Sequence, residues 1–195
     1  MSSDSDTKEI LPWPVSESQS AGRYPIFSIR KDRKTSPRTG GTHDFYVIEC
    51  SDWVNVIAIT PNEELVMVRQ FRHGSETVEL EIPGGVMDPE DESPVAAAVR
   101  ELREETGYEG TGARSIGGIF PNPAIMNNTC RTVLVENCVL RHERAQDQGE
   151  DLVTELVPLS DVREAVASGR ISHALVIVGL YYYDLEQAGL KRKST

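Results

Sequence analysis

The spacing of apolar residues changes several times along the chain, and each change marks the start of a predicted element. Two apolar runs rich in β-branched residues, Trp53–Thr60 and Glu64–Phe71, are separated by a turn at residues 61–63 and predict two buried strands. Later apolar runs predict three more strands at Ser115–Phe120, Thr129–Leu140 and Leu152–Val157. The middle of the chain is therefore expected to form a sheet.

The run Thr77–Ile82 alternates between polar and apolar residues, which is the period of a strand with two different faces. Val78, Leu80 and Ile82 are expected to face the core. Glu79 and Glu81 are then expected on the opposite side of this strand.

Helical spacing begins after residue 93, and both ends of the helix carry recognisable signals. Ser93 can cap the helix, Pro94 suits its first position because it needs no intrahelical N–H bond there, and Gly107 can end it in a left-handed turn. These signals predict a helix over Pro94–Thr106. At roughly 100° per residue its apolar stripe consists of Val95, Ala98, Val99, Leu102 and Thr106.

A second side of this helix gathers carboxylates, because Glu101, Glu104 and Glu105 lie at about 120° from the centre of the apolar stripe. Like charges at this spacing destabilise an isolated helix, and Arg100 offsets them through its i,i+4 spacing to Glu104. An acidic helix face is commonly just solvated. Here it follows the glycine pair Gly84–Gly85, and this combination favours a site for Mg²⁺, which prefers hard oxygen ligands and phosphate.

Helical patterns return near the end of the chain, at Asp161–Ala167 and His173–Gln187, with Ser160 and Ser172 as the expected N-caps. Strands interspersed with helices predict an α/β fold whose mixed sheet is covered on both faces. The histidines are scattered without the spacing of metal ligands, so each is expected to be structural. They are His43, His73, His142 and His173.

The length of 195 residues predicts one main domain, with an N-terminal extension. Residues 1–20 are rich in Ser and Asp and predict a mobile tail. Residues 21–50 contain two predicted strands, Tyr24–Arg30 and Asp44–Cys50, and form a candidate dimerisation element. Residues 51–190 then make up the main domain.

The loop Lys31–Thr42 between those two strands carries the one basic cluster of an acidic protein. The cluster consists of Lys31, Arg33, Lys34 and Arg38. These side chains are either simply solvated, or they contact substrate phosphate or a neighbouring subunit.

Composition excludes several classes of protein. The chain has 31 acidic and 20 basic residues, a net charge of −11, which disfavours nucleic acid as a partner. Its three cysteines, Cys50, Cys130 and Cys138, lie in apolar runs without a C-x-x-C pair and predict reduced thiols. The run Ala174–Tyr183 is too short to span a bilayer and the N-terminus does not resemble a signal peptide, so a soluble cytoplasmic protein without membrane partners is expected.

The glycine loop and acidic helix together resemble the Nudix box, G-x5-E-x7-R-E-U-x-E-E-x-G-U, where U is aliphatic. The matching residues are Gly85, Glu92, Arg100, Glu101, Leu102, Glu104, Glu105 and Gly107. The chain departs from this pattern in two ways. Six residues instead of five separate Gly85 from Glu92, and Tyr108 occupies the last aliphatic position. The extra residue leaves the helix register intact and leaves open how Glu92 is placed.

This resemblance implies a Nudix-type α/β/α sandwich that hydrolyses a nucleoside diphosphate linked to another group. Pro123, fifteen positions after Tyr108, resembles the proline of the branch that acts on ADP-ribose and nucleoside diphosphate sugars, and it is a candidate substrate-binding residue. The resemblance implies Mg²⁺, with Mn²⁺ as a substitute, and a homodimer in which N-terminal strands are exchanged. The implied metal ligands are Glu101, Glu104, Glu105 and the Gly85 backbone, while Arg100 orients the carboxylates.

The general base is expected outside the box, because carboxylates bound to metal lose basicity. Glu150 resembles the loop glutamate that serves as base in the ADP-ribose enzymes, and Asp151 and Glu155 are the alternatives. The resemblance also makes Arg72 and Glu81 candidate substrate residues, and Arg38 joins them from the basic loop.

Other functions of the same fold stay open from the sequence. Dinucleoside polyphosphates, coenzyme A and nucleoside triphosphates are competing substrates. A non-catalytic module that senses nucleotides is the alternative outside the enzyme class, although the presence of all the box glutamates favours the enzyme.

Overall fold

The computed structural model describes residues 9–145 and 151–190. Within it, the chain divides into two compact units. The first unit comprises Met1–Cys50 and Asn122–Asn127, and the second comprises Ser51–Pro121 and Asn128–Thr195.

The first unit is built on an antiparallel sheet with the strand order β1-β2-β3. Its strands are β1 (Val15–Arg23), β2 (Ser28–Thr35) and β3 (Thr42–Glu49). Residues 15–20, which composition assigns to a mobile tail, lie in β1. The pairing of β1 with β2 gives this polar segment the backbone hydrogen bonds that its composition does not reveal.

The basic cluster of the first unit lies mostly on a strand instead of a loop. Lys31 and Arg33 belong to β2, and both contact Asp44 on the adjacent β3, at 2.7 Å and 3.0 Å. Opposite charges on neighbouring strands stabilise the pairing and leave little net positive charge there. Arg38 is exposed in the turn between β2 and β3.

The second unit holds two sheets and the helices that cover them. One sheet has the order β7-β4-β9-β8 and the other the order β10-β5-β6. The strands are β4 (Trp53–Ala58), β5 (Glu64–Arg72), β6 (Thr77–Glu81), β7 (Gly84–Val86), β8 (Tyr108–Ile119), β9 (Cys130–Leu140) and β10 (Leu152–Pro158), and the helices are α1 (Pro94–Thr106), α2 (Val162–Ala167) and α3 (Ala174–Gln187).

The predicted mixed α/β fold is confirmed, because β4 pairs in parallel with β9 and antiparallel with β7. Two buried clusters lie against this framework. One packs Val54 and Val56 of β4 against α1, and the other packs Ile57 of β4 with residues of α2 and α3. The alternation along β4 therefore separates a layer containing α1 from a layer containing α2 and α3.

The alternation predicted for β6 fails at two positions. Val78 is exposed, whereas Glu81 is buried. Strand period alone does not account for Glu81, whose burial depends on partners far away in the sequence that are described below.

No helix of the described residues is long and apolar enough to cross a membrane.

Candidate active site

Helix α1 begins and ends as its local signals predict. Ser93 has an extended backbone, and its hydroxyl accepts a hydrogen bond from the Ala96 N–H at 3.1 Å. Gly107 has φ of 76°, in the left-handed region that favours glycine, and its N–H donates to the Arg103 carbonyl. The predicted bounds Pro94–Thr106 are confirmed.

The buried side of α1 is rotated relative to the predicted stripe. Val99 is exposed, whereas Glu105 is only 4% exposed. The Glu105 carboxylate accepts a hydrogen bond from the Gly84 N–H at 3.1 Å, which offsets part of the cost of burying it. Glu105 therefore joins the end of α1 to the glycine loop.

Gly84 and Gly85 leave no room for a side chain, because the backbone of this loop passes close to β4 and to α1. A Cβ on Gly84 would lie 2.3 Å from the Val54 carbonyl oxygen, because β7 pairs tightly with β4 at this point. A Cβ on Gly85 would lie 2.5 Å from Oε1 of Glu101. The absent side chain at Gly85 thus lets the loop backbone lie directly against a carboxylate of α1.

Arg100 is the centre of a charged network on α1. Its Nη1 donates to Glu101 Oε1 and to Glu104 Oε2, both at 3.0 Å, and its Nη2 donates to the Val86 carbonyl at 3.1 Å. The hydrogen bond to Asp91, opposed in part by burial and supported by Glu101, raises the pKa of Arg100. A permanently charged guanidinium therefore holds two box carboxylates and the loop together.

The acidic partner supplied by the longer loop is Asp91, not Glu92. Asp91 accepts from Arg100 Nε at 3.2 Å and from Nη2 at 2.9 Å, and its side chain is 8% exposed, whereas Glu92 is exposed. The hydrogen bond from Arg100 lowers the pKa of Asp91. The Asp88 N–H also donates to Asp91 at 2.8 Å, so the extra residue is taken up in a turn that directs Asp91 inward.

A cleft of about 330 Å³ lies beside the glycine loop. Its walls include Trp53, Asn55, Arg72, Glu81, Gly85 and His173. Cavities that bind small molecules usually fall between about 300 and 1,000 Å³, so this cleft has room for part of a nucleotide-sized ligand.

Glu81 organises the polar wall of the cleft. Its two oxygens accept from Arg72 Nε at 2.7 Å and Nη2 at 2.8 Å, and His173 Nδ1 lies 3.0 Å from Oε2. Burial alone would raise the pKa of Glu81, but the hydrogen bonds from Arg72 and His173 outweigh it and lower the pKa to about 2. The carboxylate is therefore ionised and fixes both neighbours.

The cleft is also lined by an amide with an unmet acceptor. Asn55 is buried on β4, and its Nδ2 donates to the Leu175 carbonyl at 3.0 Å, which identifies the nitrogen side of the amide. Its Oδ1 has no hydrogen-bond partner in the described part of the chain. A buried acceptor in this state is uncommon in folded proteins.

The carboxylates of α1 fit a hard divalent cation by their chemistry. Across residues 9–145 and 151–190, no three His, Cys, Asp or Glu side chains converge as a ready metal centre. Glu101 and Glu104 instead contact Arg100, and Glu105 contacts the loop. The donor set is nevertheless oxygen only and lies beside the Gly85 backbone, which is the kind of set that Mg²⁺ prefers.

The predicted site residues fall into three groups. Arg72 and Glu81 line the cleft together with Gly85, and Glu101, Glu104 and Glu105 lie on the adjoining helix with Arg100. Arg38 and Pro123 belong to the first unit. Glu150 lies outside the described residues. Of the alternatives to it, Glu155 lies on β10 and pairs with Arg170.

Two residues of the site were not predicted. Asp91 was overlooked because the seven-residue spacing to Arg100 directs attention to Glu92, although five residues separate Asp91 from Gly85. His173 was assigned a structural role because the histidines are scattered without the spacing of metal ligands, and its partner Glu81 is 92 positions away in the sequence. One local signal does single out His173. It occupies the N-cap position of a helix, where Ser, Thr, Asp or Asn is usual, and a serine directly precedes it.

Comparison with known proteins adds a family and relatives. A model described as NUDIX domain matches residues 52–176. An ADP-ribose pyrophosphatase of Bacillus subtilis is 32% identical over 136 residues, which cover 69% of this chain and 73% of that protein. An ADP-sugar pyrophosphatase of Mus musculus is 32% identical over 145 residues, which cover 69% of this chain and 66% of that protein. The crystal structure of an ADP compounds hydrolase superposes with a TM-score of 0.81 at 19% identity, covering 94% of this chain and all of the other.

Proposed function

The chain belongs to the Nudix family and is a pyrophosphohydrolase. We propose that it hydrolyses ADP-ribose or another nucleoside diphosphate sugar, and that the products are a nucleoside monophosphate and a sugar phosphate. The names of the relatives support this substrate class, since several act on ADP-ribose or ADP-sugars. The observation in the molecule that carries the proposal is the closeness of the glycine loop to Glu101, beside a cleft sized for part of such a substrate.

Nudix hydrolases generally use divalent metal ions, and we propose Mg²⁺ for this chain, with Mn²⁺ as a substitute. Glu101, Glu104, Glu105 and the Gly85 backbone would hold it. A bound Mg²⁺ supplies neutralisation of the pyrophosphate charge and a polarised water. Arg100 keeps two of these carboxylates in place in its absence, because it balances their mutual repulsion.

The remaining residues divide the work of binding and proton transfer. Arg72 is proposed to contact the substrate, held in position by Glu81. Glu150 remains the proposed general base, with Asp151 as the first alternative. Glu155 is a weaker alternative, because its carboxylate already pairs with Arg170.

A homodimer is proposed from the surface of the first unit. Its sheet exposes Val15, Phe45 and Tyr46, and the connection between β1 and β2 exposes Tyr24 and Ile26. Exposed apolar surface of this kind favours association, and a second copy of the chain is the proposed partner. Arg38 and Pro123 remain proposed substrate-binding residues of the first unit.

A substrate panel tests the proposed activity. Purified protein with Mg²⁺ would be incubated with ADP-ribose, GDP-mannose, UDP-glucose, diadenosine polyphosphates and nucleoside triphosphates, and the products would be separated. We expect the nucleoside diphosphate sugars to be cleaved fastest. Cleavage of triphosphates alone would contradict the substrate class, and binding without any turnover would favour a nucleotide-sensing module.

A further inference from the structure

We propose that His173 is a substrate-contacting residue, with Nε2 of its ring accepting a hydrogen bond from a sugar hydroxyl of the substrate. This inference deepens the proposed function and rests on it. It concerns the sugar that is joined to the pyrophosphate, either on the nucleoside side or on the other side.

The first step of the argument is the orientation of the ring. His173 Nδ1 lies 3.0 Å from the Glu81 carboxylate, and a carboxylate can only accept, so Nδ1 carries the proton. In the neutral ring Nε2 is then an acceptor. The described residues offer Nε2 no hydrogen-bond partner, and the side chain is 37% exposed on the wall of the cleft.

The second step is that helix capping does not explain the histidine. His173 occupies the N-cap position of α3, yet its side chain makes no capping hydrogen bond. Ser172, a better capping residue, instead donates to Glu79. The side chain of His173 is thus directed to Glu81 and the cleft, and α3 loses a favourable N-cap interaction.

The third step is the way Glu81 holds two cleft residues at once. The same buried carboxylate binds the Arg72 guanidinium through both oxygens and the His173 ring through one. Burying an ionised carboxylate is costly unless it is fully paired, and here both of its partners line the cleft. Glu81 thereby fixes the Arg72 guanidinium, a cation that can bind phosphate, next to His173, whose Nε2 can accept a hydrogen bond from a hydroxyl.

A second residue lining the cleft also favours a ligand that donates hydrogen bonds. Asn55 Oδ1 is a second acceptor without a described partner. An ionised phosphate group can only accept hydrogen bonds, whereas a sugar hydroxyl can also donate one to an acceptor such as Oδ1 or Nε2. A sugar phosphate therefore matches the cleft better than a second phosphate group does.

The test compares His173→Asn with wild type and with a matched control. Asparagine is a favoured N-cap, which offsets part of the hydrogen bond that Glu81 loses from His173, so the melting temperature should be equal to or slightly below that of wild type. Its short side chain does not reach the substrate. We expect a KM for ADP-ribose about tenfold higher, with kcat within about twofold of wild type. His142→Asn is the control, since His142 is 39% exposed and pairs with Glu109 outside the cleft. An unchanged KM for His173→Asn, or an equal rise in both variants, would overturn the inference.

A binding measurement identifies the hydroxyl without relying on turnover. Wild type and His173→Asn would be titrated with AMP, ribose 5-phosphate and their 2-deoxy and 3-deoxy analogues. We expect wild type to prefer one of the natural compounds about tenfold over one of its deoxy forms, and the variant to lose that preference. The compound that shows the effect identifies the nucleoside or the distal sugar. Equal preferences in both proteins for every pair would refute the contact.

The two proposals fail in different ways. If wild type cleaves no nucleoside diphosphate sugar, the proposed function fails whatever His173 does. If wild type cleaves them and His173→Asn behaves like wild type in both measurements, only the role of His173 fails.

Discussion

Arg100 carries more of the site than its place in the box suggests. It contacts Glu101, Glu104, Asp91 and the Val86 carbonyl, so one guanidinium links the acidic helix with the loop in front of it. Planar, multidentate hydrogen bonding of this kind is a property of arginine that lysine does not share. The position of the carboxylates proposed to bind metal is therefore expected to depend on what holds Arg100.

Asp91 is expected to be a positioning residue, and its neighbour Glu92 is the natural control. Asp91→Asn should lower kcat for ADP-ribose about tenfold or more and raise the Mg²⁺ concentration needed for half-maximal rate, because Arg100 loses a charged partner. Glu92→Gln should change neither quantity. Steady-state kinetics over a Mg²⁺ titration would measure both.

A deletion sharpens this prediction. Removing Asp91 alone leaves five residues between Gly85 and Glu92, which is the spacing of the family pattern. We expect this deletion to be more active than Asp91→Asn, because Glu92 can then pair with Arg100. Full activity of Asp91→Asn, or equal losses on substitution of Asp91 and Glu92, would show that Asp91 does not hold the site.

Glu81 gives a prediction for the dependence of stability on pH. Its pKa in the folded protein is about 2, below the ordinary value of 4.5, so it contributes stability that is fully present above pH 4.5 and is lost as the pH falls toward 2. The contribution is on the order of a few kcal/mol. Chemical denaturation from pH 6 to pH 2 should show a shallower loss in Glu81→Gln than in wild type. Equal slopes would indicate that Glu81 is not ionised in a paired state.

At the scale of the elements, local signals and distant contacts explain what could be predicted. The bounds of α1 followed from Ser93, Pro94 and Gly107, because capping acts within one turn of the helix. Glu105 was placed in the carboxylate cluster outside the apolar stripe, and its burial was not predicted, because nothing near it in the sequence indicates the Gly84 N–H that it meets. The strand β1 was missed because its polar residues are held by pairing with β2.

The same reasoning explains the cleft. Arg72 and Glu81 were recognised through resemblance to a family, but the burial of Glu81 was not, because strand alternation placed it opposite the core. The start of α3 was predicted one residue early, with Ser172 as its cap, whereas the structure places His173 there. Contacts over about ninety residues, such as that between His173 and Glu81, leave no pattern in a single sequence.

The glycine loop β7 allows a test at the scale of an element. Gly85→Ala should reduce activity strongly with little loss of folding, because its Cβ would meet the flexible end of Glu101. Gly84→Ala should instead destabilise the fold, because its Cβ would meet the backbone of Val54. Gly74→Ala is the control, since nothing lies within 4 Å of its added Cβ. Melting curves and ADP-ribose turnover for the three variants would check this, and full activity of Gly85→Ala would contradict the close approach.

At the scale of the whole molecule, the two units differ in how they are stabilised. The second unit contains two buried apolar clusters, whereas the sheet of the first unit exposes much of its apolar surface. A unit that cannot bury its apolar residues alone is expected to associate.

Deleting residues 1–50 should therefore convert a dimer into a monomer with much weaker hydrolysis of ADP-ribose. The second unit should still melt cooperatively, because both buried clusters remain. Deletion of residues 1–8 is the control and should leave the oligomeric state and the activity unchanged. Light scattering at assay concentration would measure the mass, and a monomeric intact protein would count against the assembly.

The most direct measurement follows the products of ADP-ribose by ³¹P NMR while Mg²⁺ is titrated, in wild type and Glu105→Gln. Wild type should release AMP and ribose 5-phosphate only when the divalent ion is present. Glu105→Gln keeps the shape of the side chain and an acceptor for the Gly84 N–H, so it should stay folded while turnover falls by orders of magnitude. Turnover of wild type without divalent ions, or near-wild-type turnover of Glu105→Gln, would contradict a metal-dependent site on this helix.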